Sequence, residues 1–199
     1  MEEALTFTDA AEWEAWLAAH HDQAQGVWVK VAKKDSAHRS ITAAEAGEVA
    51  LCYGWIDSVR RSASDGFFLQ RYSRRKPDSS WSRVNVDRAQ ALIAAGRMRA
   101  AGLAEIAAAK ADGRWQAAYE SQRNATVPPD LTAALAVNQP AKEAFSRLGR
   151  TDRYLVILPL LKARTPEARA AQLCKTIERL AATRPPRDAN RALPPITDR

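Results

Sequence analysis

Apolar residues recur along this chain with two different spacings, and each spacing predicts a different element. Trp13, Trp16 and Leu17 fall at i, i+3 and i+4, which predicts a helix from about Asp9 to Ala19 with Thr8 or Asp9 as its cap. After Gly26 the period drops to two: Val27, Val29 and Val31 alternate with polar or large residues, the pattern of a half-buried strand. A helix from Thr42 to about Cys52 follows, opened by a capping box with Glu45 and ended by Gly54. Trp55 to Arg61 and Phe67 to Tyr72 read as strands, and Asp65-Gly66 between them is a hairpin signal. Two more helices are expected, about Val86 to Ala95, capped by Asn85, and about Arg99 to Ala111, closed by Gly113.

From Val127 the pattern becomes one of short helices with clear punctuation. Asp130 to Val137, Ala141 to Leu148 and Thr151 to about Lys162 come first. The last helix opens with Thr165-Pro166-Glu167, a cap, a first-turn proline and a carboxylate suited to the helix N-terminus. The fold class expected is α+β and helix-rich: an antiparallel sheet of about three strands packed by helices, then a C-terminal helical bundle. The chain divides into an α+β domain with a basic hairpin (residues 1–126), a helical subdomain (127–182) and a disordered tail (183–199), whose prolines and few large apolar residues give it little to bury.

Composition changes this picture little until the charge is located. A chain of 199 residues is long enough to bury a core without metal or disulfide. Cys52 and Cys174 both lie in apolar, helix-like settings and read as reduced, buried thiols, with a disulfide between them as the alternative that spacing leaves open. The start, Met1-Glu2-Glu3-Ala4, lacks the features of a signal peptide, and the best apolar run, Tyr154 to Leu161, falls far short of the ~20 residues of a membrane span. A cytoplasmic location is expected. The net charge is +7, and most of it sits between Arg60 and Arg83, where seven basic residues face only Asp65 and Asp78. Such a field attracts nucleic acid, phosphate-bearing ligands or an acidic protein surface.

Catalytic signatures are missing: there is no nucleophile elbow, P-loop, dinucleotide fingerprint or zinc-protease helix. His20 and His21 are adjacent at a helix end and cannot both ligate one ion from a rigid face, so they read as solvent-facing; neither a metal nor a cofactor is implied. Asp57, among arginines at a strand start, is the acid best placed to orient a ligand or act as a base, with an ion pair to Arg60, Arg61 or Arg71 as the plain alternative. The run Arg71 to Ser82 is richer. Arg71, Arg74, Arg75 and Lys76 supply charge and bidentate donors, Ser79 and Ser82 supply hydroxyls, and Trp81 supplies a face, all just before a helix N-terminus. Its plain alternative is a solvated loop in which Trp81 anchors the core and Ser82 or Asn85 caps a helix.

Those residues also carry a resemblance. Ala50 to Asp57 with its Gly54-Trp55-Ile56-Asp57 end, Ser79-x-Trp81-Ser82-x-x-Asn85, Gly96-Arg97-Met98, Ala101-Gly102-Leu103, Asp112-Gly113-Arg114-Trp115, Val127-Pro128-x-Asp130-Leu131 and Ala163 to Arg169 together resemble the YdeI/OmpD-associated family of bacterial proteins. The resemblance runs from about Phe7 to Ala182. It implies a link to bacteriocin or antimicrobial-peptide protection and to an outer-membrane porin, with no reaction and no catalytic set. Arg74 stands where similar proteins tend to have proline, and Ala168 to Gln172 thins a basic helix start. The functional expectation is a non-enzymatic anion-binding or adaptor protein of a stress or antimicrobial-resistance response, using Asp57, Arg71, Arg74, Arg75, Lys76, Ser79, Trp81 and Ser82. A nucleic-acid-binding module with a basic hairpin and a small-molecule enzyme using Asp57 with arginines are the alternatives.

Overall fold

The computed structural model describes residues 4–23, 25–33, 36, 38–63 and 66–183. They form two compact units, Met1–Tyr119 and Glu120–Arg199. The expected disordered tail, from residue 184 on, and Asp65 of the hairpin turn lie outside the described residues.

The first unit runs β1 (Leu5–Thr6), α1 (Ala10–His20), β2 (Gly26–Ala32), α2 (Ala43–Cys52), β3 (Trp55–Ser62), β4 (Phe67–Arg74), α3 (Arg83–Ala94) and α4 (Ala100–Ala111). Its sheet has the order β1-β2-β4-β3, with β2, β4 and β3 antiparallel neighbours. The α+β, helix-rich class holds, with one strand more than the three expected. β1 is two residues long and lies parallel to β2, pairing Leu5 with Val29. Two residues carry no readable period, so only the long-range pairing reveals them.

Local chemistry sets the helix ends. Asp9 accepts hydrogen bonds from the N–H groups of Ala11 and Glu12, and Thr42 and Glu45 complete the reciprocal capping box. Ser82, not Asn85, caps α3, accepting from the N–H of Asn85 at 3.2 Å. The helix therefore starts three residues before the apolar period that predicted it. The core of this unit is aromatic. Trp13 touches Phe7, Trp16, Trp55 and Tyr72 at centroid distances of 5.1–6.4 Å. Its indole N–H donates to the Ala46 carbonyl, and that of Trp55 donates to His21, both at 3.1 Å, so burial leaves neither donor unsatisfied.

The second unit comprises α5 (Pro129–Ala136), α6 (Gln139–Arg147), α7 (Arg150–Lys162) and α8 (Pro166–Ala182) around Leu131, Leu135, Phe145, Val156, Ile157, Leu160 and Leu180. Pro159 lies inside α7 and cannot donate to the carbonyl of Leu155; that turn is exposed, Leu155 being 56% accessible, so water can replace the bond. Arg169 on α8 grips Asp130 on α5 through Nε (2.7 Å) and Nη2 (2.9 Å), and its Nη1 donates to the Leu160 carbonyl on α7. One side chain thus ties three helices together.

Of the two cysteines, Cys52 is buried as expected, whereas Cys174 is exposed, and neither is in a disulfide. Leu173 and Ile177 take the inner face of α8, which leaves Cys174 outside it. His20 is exposed as expected, whereas His21 is half-buried against Tyr53; each ring Nδ1 meets a carbonyl one turn back, Trp16 and Leu17 respectively. Among the described residues, no helix is long and apolar enough to cross a membrane.

Candidate functional site: a basic hairpin and a buried arginine

Strand alternation distributes the basic segment over two faces of the sheet. Tyr72, Gln70 and Phe68 of β4 pair with Val27, Val29 and Val31 of β2 and share the side of the aromatic core. The other face takes Arg71, Leu69 and Phe67, opposite Trp28, Lys30 and Ala32. There, Trp28 and Phe67 are each 8% accessible yet stand outside both hydrophobic cores. Cations cover them: the Arg61 guanidinium lies 4.6 Å from the Trp28 ring, and the Lys30 ammonium 4.3 Å from the Phe67 ring. Arg71 lies along the same face, its Nη2 3.0 Å from where a side chain on Gly26 would begin. None of Lys30, Arg61 and Arg71 pairs with a carboxylate among the described residues.

A β-bulge decides which arginine goes where. Between the pairs Asp57–Tyr72 and Arg60–Gln70, β3 spends one more residue than β4. Arg60 therefore joins the face of Asp57, over Phe68 at 4.3 Å, with its Nε donating to Gln70 at 3.0 Å. Arg61 is turned to the opposite face, over Trp28. Asp57 itself is exposed on the edge strand, and its charge acts on Tyr72, Arg75 and Tyr119. The Tyr72 hydroxyl is driven well above its ordinary range, first by burial and then by Asp57.

The loop before α3 is organised around Arg75, which is only 4% accessible. Its guanidinium lies 3.7 Å from the Trp81 ring, and its Nη1 reaches the Ser80 carbonyl at 3.5 Å. Nε and Nη2 are buried with no hydrogen-bond partner among the described residues, as is the Trp81 indole N–H. Burial lowers the Arg75 pKa to about 10, against the opposing pull of Glu105 and Tyr119, so it stays a cation at neutral pH. Arg114, 3% accessible, completes the clamp: Nε donates to Asp112 at 2.6 Å and Nη1 to the Ser79 carbonyl at 3.1 Å. Trp115 meets Trp81 edge-on at 4.9 Å.

The sequence-selected residues thus occupy different places. Arg75, Ser79, Trp81 and Ser82 meet in the loop, where Ser79 Oγ accepts from the Lys76 N–H at 3.1 Å and Ser82 caps α3. Arg74 is exposed, with Nη1 on the Asp22 carbonyl at 3.0 Å, and Lys76 is exposed beside it. Arg71 faces the far side of the sheet. Sequence reasoning passed over Lys30, Trp28, Arg61, Glu105, Arg114 and Tyr119 as site residues. For Lys30 and Trp28 the signal was present, since both alternate with the valines of β2 and must face away from the core.

Residues 5–105, about half of the chain, match the family model of a domain of unknown function, DUF8412. The chain belongs to the DUF8412 family. Residues 124–183 match the model described as Bacteriocin-protection, YdeI or OmpD-Associated, so the resemblance seen in the sequence is shown for that stretch. No curated protein and no solved structure matches the chain. Within the DUF8412 part, several motif residues have evident packing roles. Gly54 adopts φ 74°, and a side chain there would press on Glu105 at 2.9 Å; a Cβ on Gly102 would overlap the carbonyl of Cys52. In the YdeI/OmpD-associated region, Asp130 and Arg169 are the ion pair that joins its helices.

Proposed function

We propose that this YdeI/OmpD-associated-like chain is a non-enzymatic anion-binding adaptor that works through its basic hairpin. The supporting observation is the sheet face on which Lys30, Arg61 and Arg71 lie over Trp28, Phe67 and Gly26 without a carboxylate partner among the described residues. Aromatic faces hold the cations in place while leaving N–H donors free for an anion. Arg74 and Lys76 extend the positive field from the exposed end of the hairpin. Arg75, Ser79, Trp81 and Ser82 shape the loop, with Arg75 supplying a buried charge.

Base stacking is the weaker mode on this face. Trp28 and Phe67 are already covered, and a base would have to displace the cations to reach them. The ligand is therefore read by charge and hydrogen bonding. A link to antimicrobial-peptide resistance rests on the family description, and a basic surface suits an adaptor that engages an anionic target, since it repels a cationic peptide.

Polyphosphate titrated into the chain should bind with an affinity that drops about tenfold or more in a Lys30→Gln, Arg61→Gln, Arg71→Gln variant. Equal affinity in the variant would sink the proposal. A short single-stranded oligonucleotide tested alongside should bind no better than polyphosphate. Markedly tighter binding with a steep salt dependence would instead mark a nucleic-acid module.

A further inference from the structure

The second unit contains a cavity of about 370 Å³ between the chain that leads into α5 and the first turns of α7. Arg123, Arg150 and Arg153 line it, together with an apolar floor that includes Val127, Leu148 and Ile157, and no carboxylate is among the lining residues. Two of the arginines are steadied by backbone. Arg150 Nη2 donates to the Arg123 carbonyl at 3.1 Å, and Arg153 Nη2 donates to the Ser146 carbonyl at 2.7 Å. A guanidinium has five N–H donors, so each retains several for a ligand. None of the three pairs with a carboxylate among the described residues.

Three like charges around one small cavity repel one another, and an anion relieves that repulsion. The end of α7 adds to the field, because its N-cap is Gly149 and no side chain caps it. Asp152, the acidic residue of that turn, is exposed and does not line the cavity. The volume is near the lower limit for small-molecule sites, which run from about 300 to 1,000 Å³. Charge at the rim and aliphatic carbon at the floor call for a ligand with the same polarity.

From this geometry we infer that the cavity is a binding site for a small organic anion, with a carboxylate or phosphate head held by Arg123, Arg150 and Arg153 and a short apolar body on Val127, Leu148 and Ile157. It shares no residue with the hairpin reading and does not depend on it.

Calorimetric titration of the full chain with hexanoate, hexyl phosphate, hexanol and inorganic phosphate tests the assignment. Saturable one-site binding of hexanoate or hexyl phosphate is expected, and the tighter of the two identifies the preferred head group. Hexanol should bind at least about tenfold more weakly, and Arg150→Gln with Arg153→Gln should weaken the anion by a similar factor. Val127→Glu, at an exposed floor position, should abolish binding by placing a like charge beside the ligand. The hairpin variant Lys30→Gln, Arg61→Gln, Arg71→Gln should bind the anion as the parent does, which separates failure here from failure of the hairpin reading. The inference is overturned if neither anion binds saturably, if hexanol binds as tightly, if inorganic phosphate matches hexyl phosphate, or if the arginine variant binds unchanged.

Discussion

The basic hairpin and the arginine-rimmed cavity hold the same side chain in different ways. On the hairpin, guanidiniums sit over aromatic rings, Arg61 at 4.6 Å from Trp28 and Arg60 at 4.3 Å from Phe68, so the protein itself provides part of what each charge needs. Around the cavity Arg150 and Arg153 each donate one nitrogen to a backbone carbonyl, Arg153 lies only loosely over Phe145 at 5.7 Å, and with Arg123 they surround open space. The division follows composition: all six tryptophans lie in the first unit, and the second has none. Charge density along the chain singled out the hairpin, where the residues are consecutive. It missed the cavity, because three arginines spread over residues 123–153 make a cluster only after the helices fold.

Breaking the aromatic side of this contrast should have the largest effect. Trp81→Ala removes the ring beneath Arg75 and the partner of Trp115, and should destabilise the first unit by about 3–5 kcal/mol. Denaturant unfolding followed by tryptophan fluorescence, which reports only that unit, checks it. A loss below about 1 kcal/mol would mean that Trp81 is not the anchor of the loop.

The second unit relies on an ion pair where the first relies on rings. Asp130→Asn should cost about 1 kcal/mol, since the pair is a third exposed and solvent screens it. The Arg169 hydrogen bonds hold the Asp130 carboxyl below the usual carboxylate range. Its stabilising contribution is therefore complete above the unfolded value of about 3.9 and is lost as pH falls from there through the depressed native value. Thermal melts of the parent and Asp130→Asn should accordingly converge in acid; a gap that persists at low pH would remove the ion pair as its cause.

A third substitution sharpens the contrast most. Arg75→Met keeps much of the side-chain volume and removes a buried charge with two unsatisfied nitrogens, so it should cost less than about 1.5 kcal/mol. A loss as large as that of Trp81→Ala would show that the cation, and not the ring, holds the loop.

Much of the scaffold was legible in the sequence because it rests on local rules. The Asp9 cap, the Thr42–Glu45 box and the alternation of β2 each depend on residues within a few positions of one another. What escaped depends on distant pairing. Two-residue β1 exists only against β2, and the bulge in β3 is visible only against β4. The sites follow the same rule. Arg71, Arg75 and Trp81 were singled out for their types. Their separation onto a sheet face and into a buried clamp follows from the register of β4 and from Arg114, some forty positions away.

Among the described residues, the sheet order leaves one side of β3 without a strand partner, an open template for a strand from another chain. A second copy docking there would bring Arg60 and Arg61 close to their counterparts, and the bulge between Asp57 and Arg60 bends the strand away from the straight edge that fibrous stacking requires. Like charges and a bulge on an edge strand are features that disfavour edge-to-edge pairing of sheets, whether or not a ligand is bound.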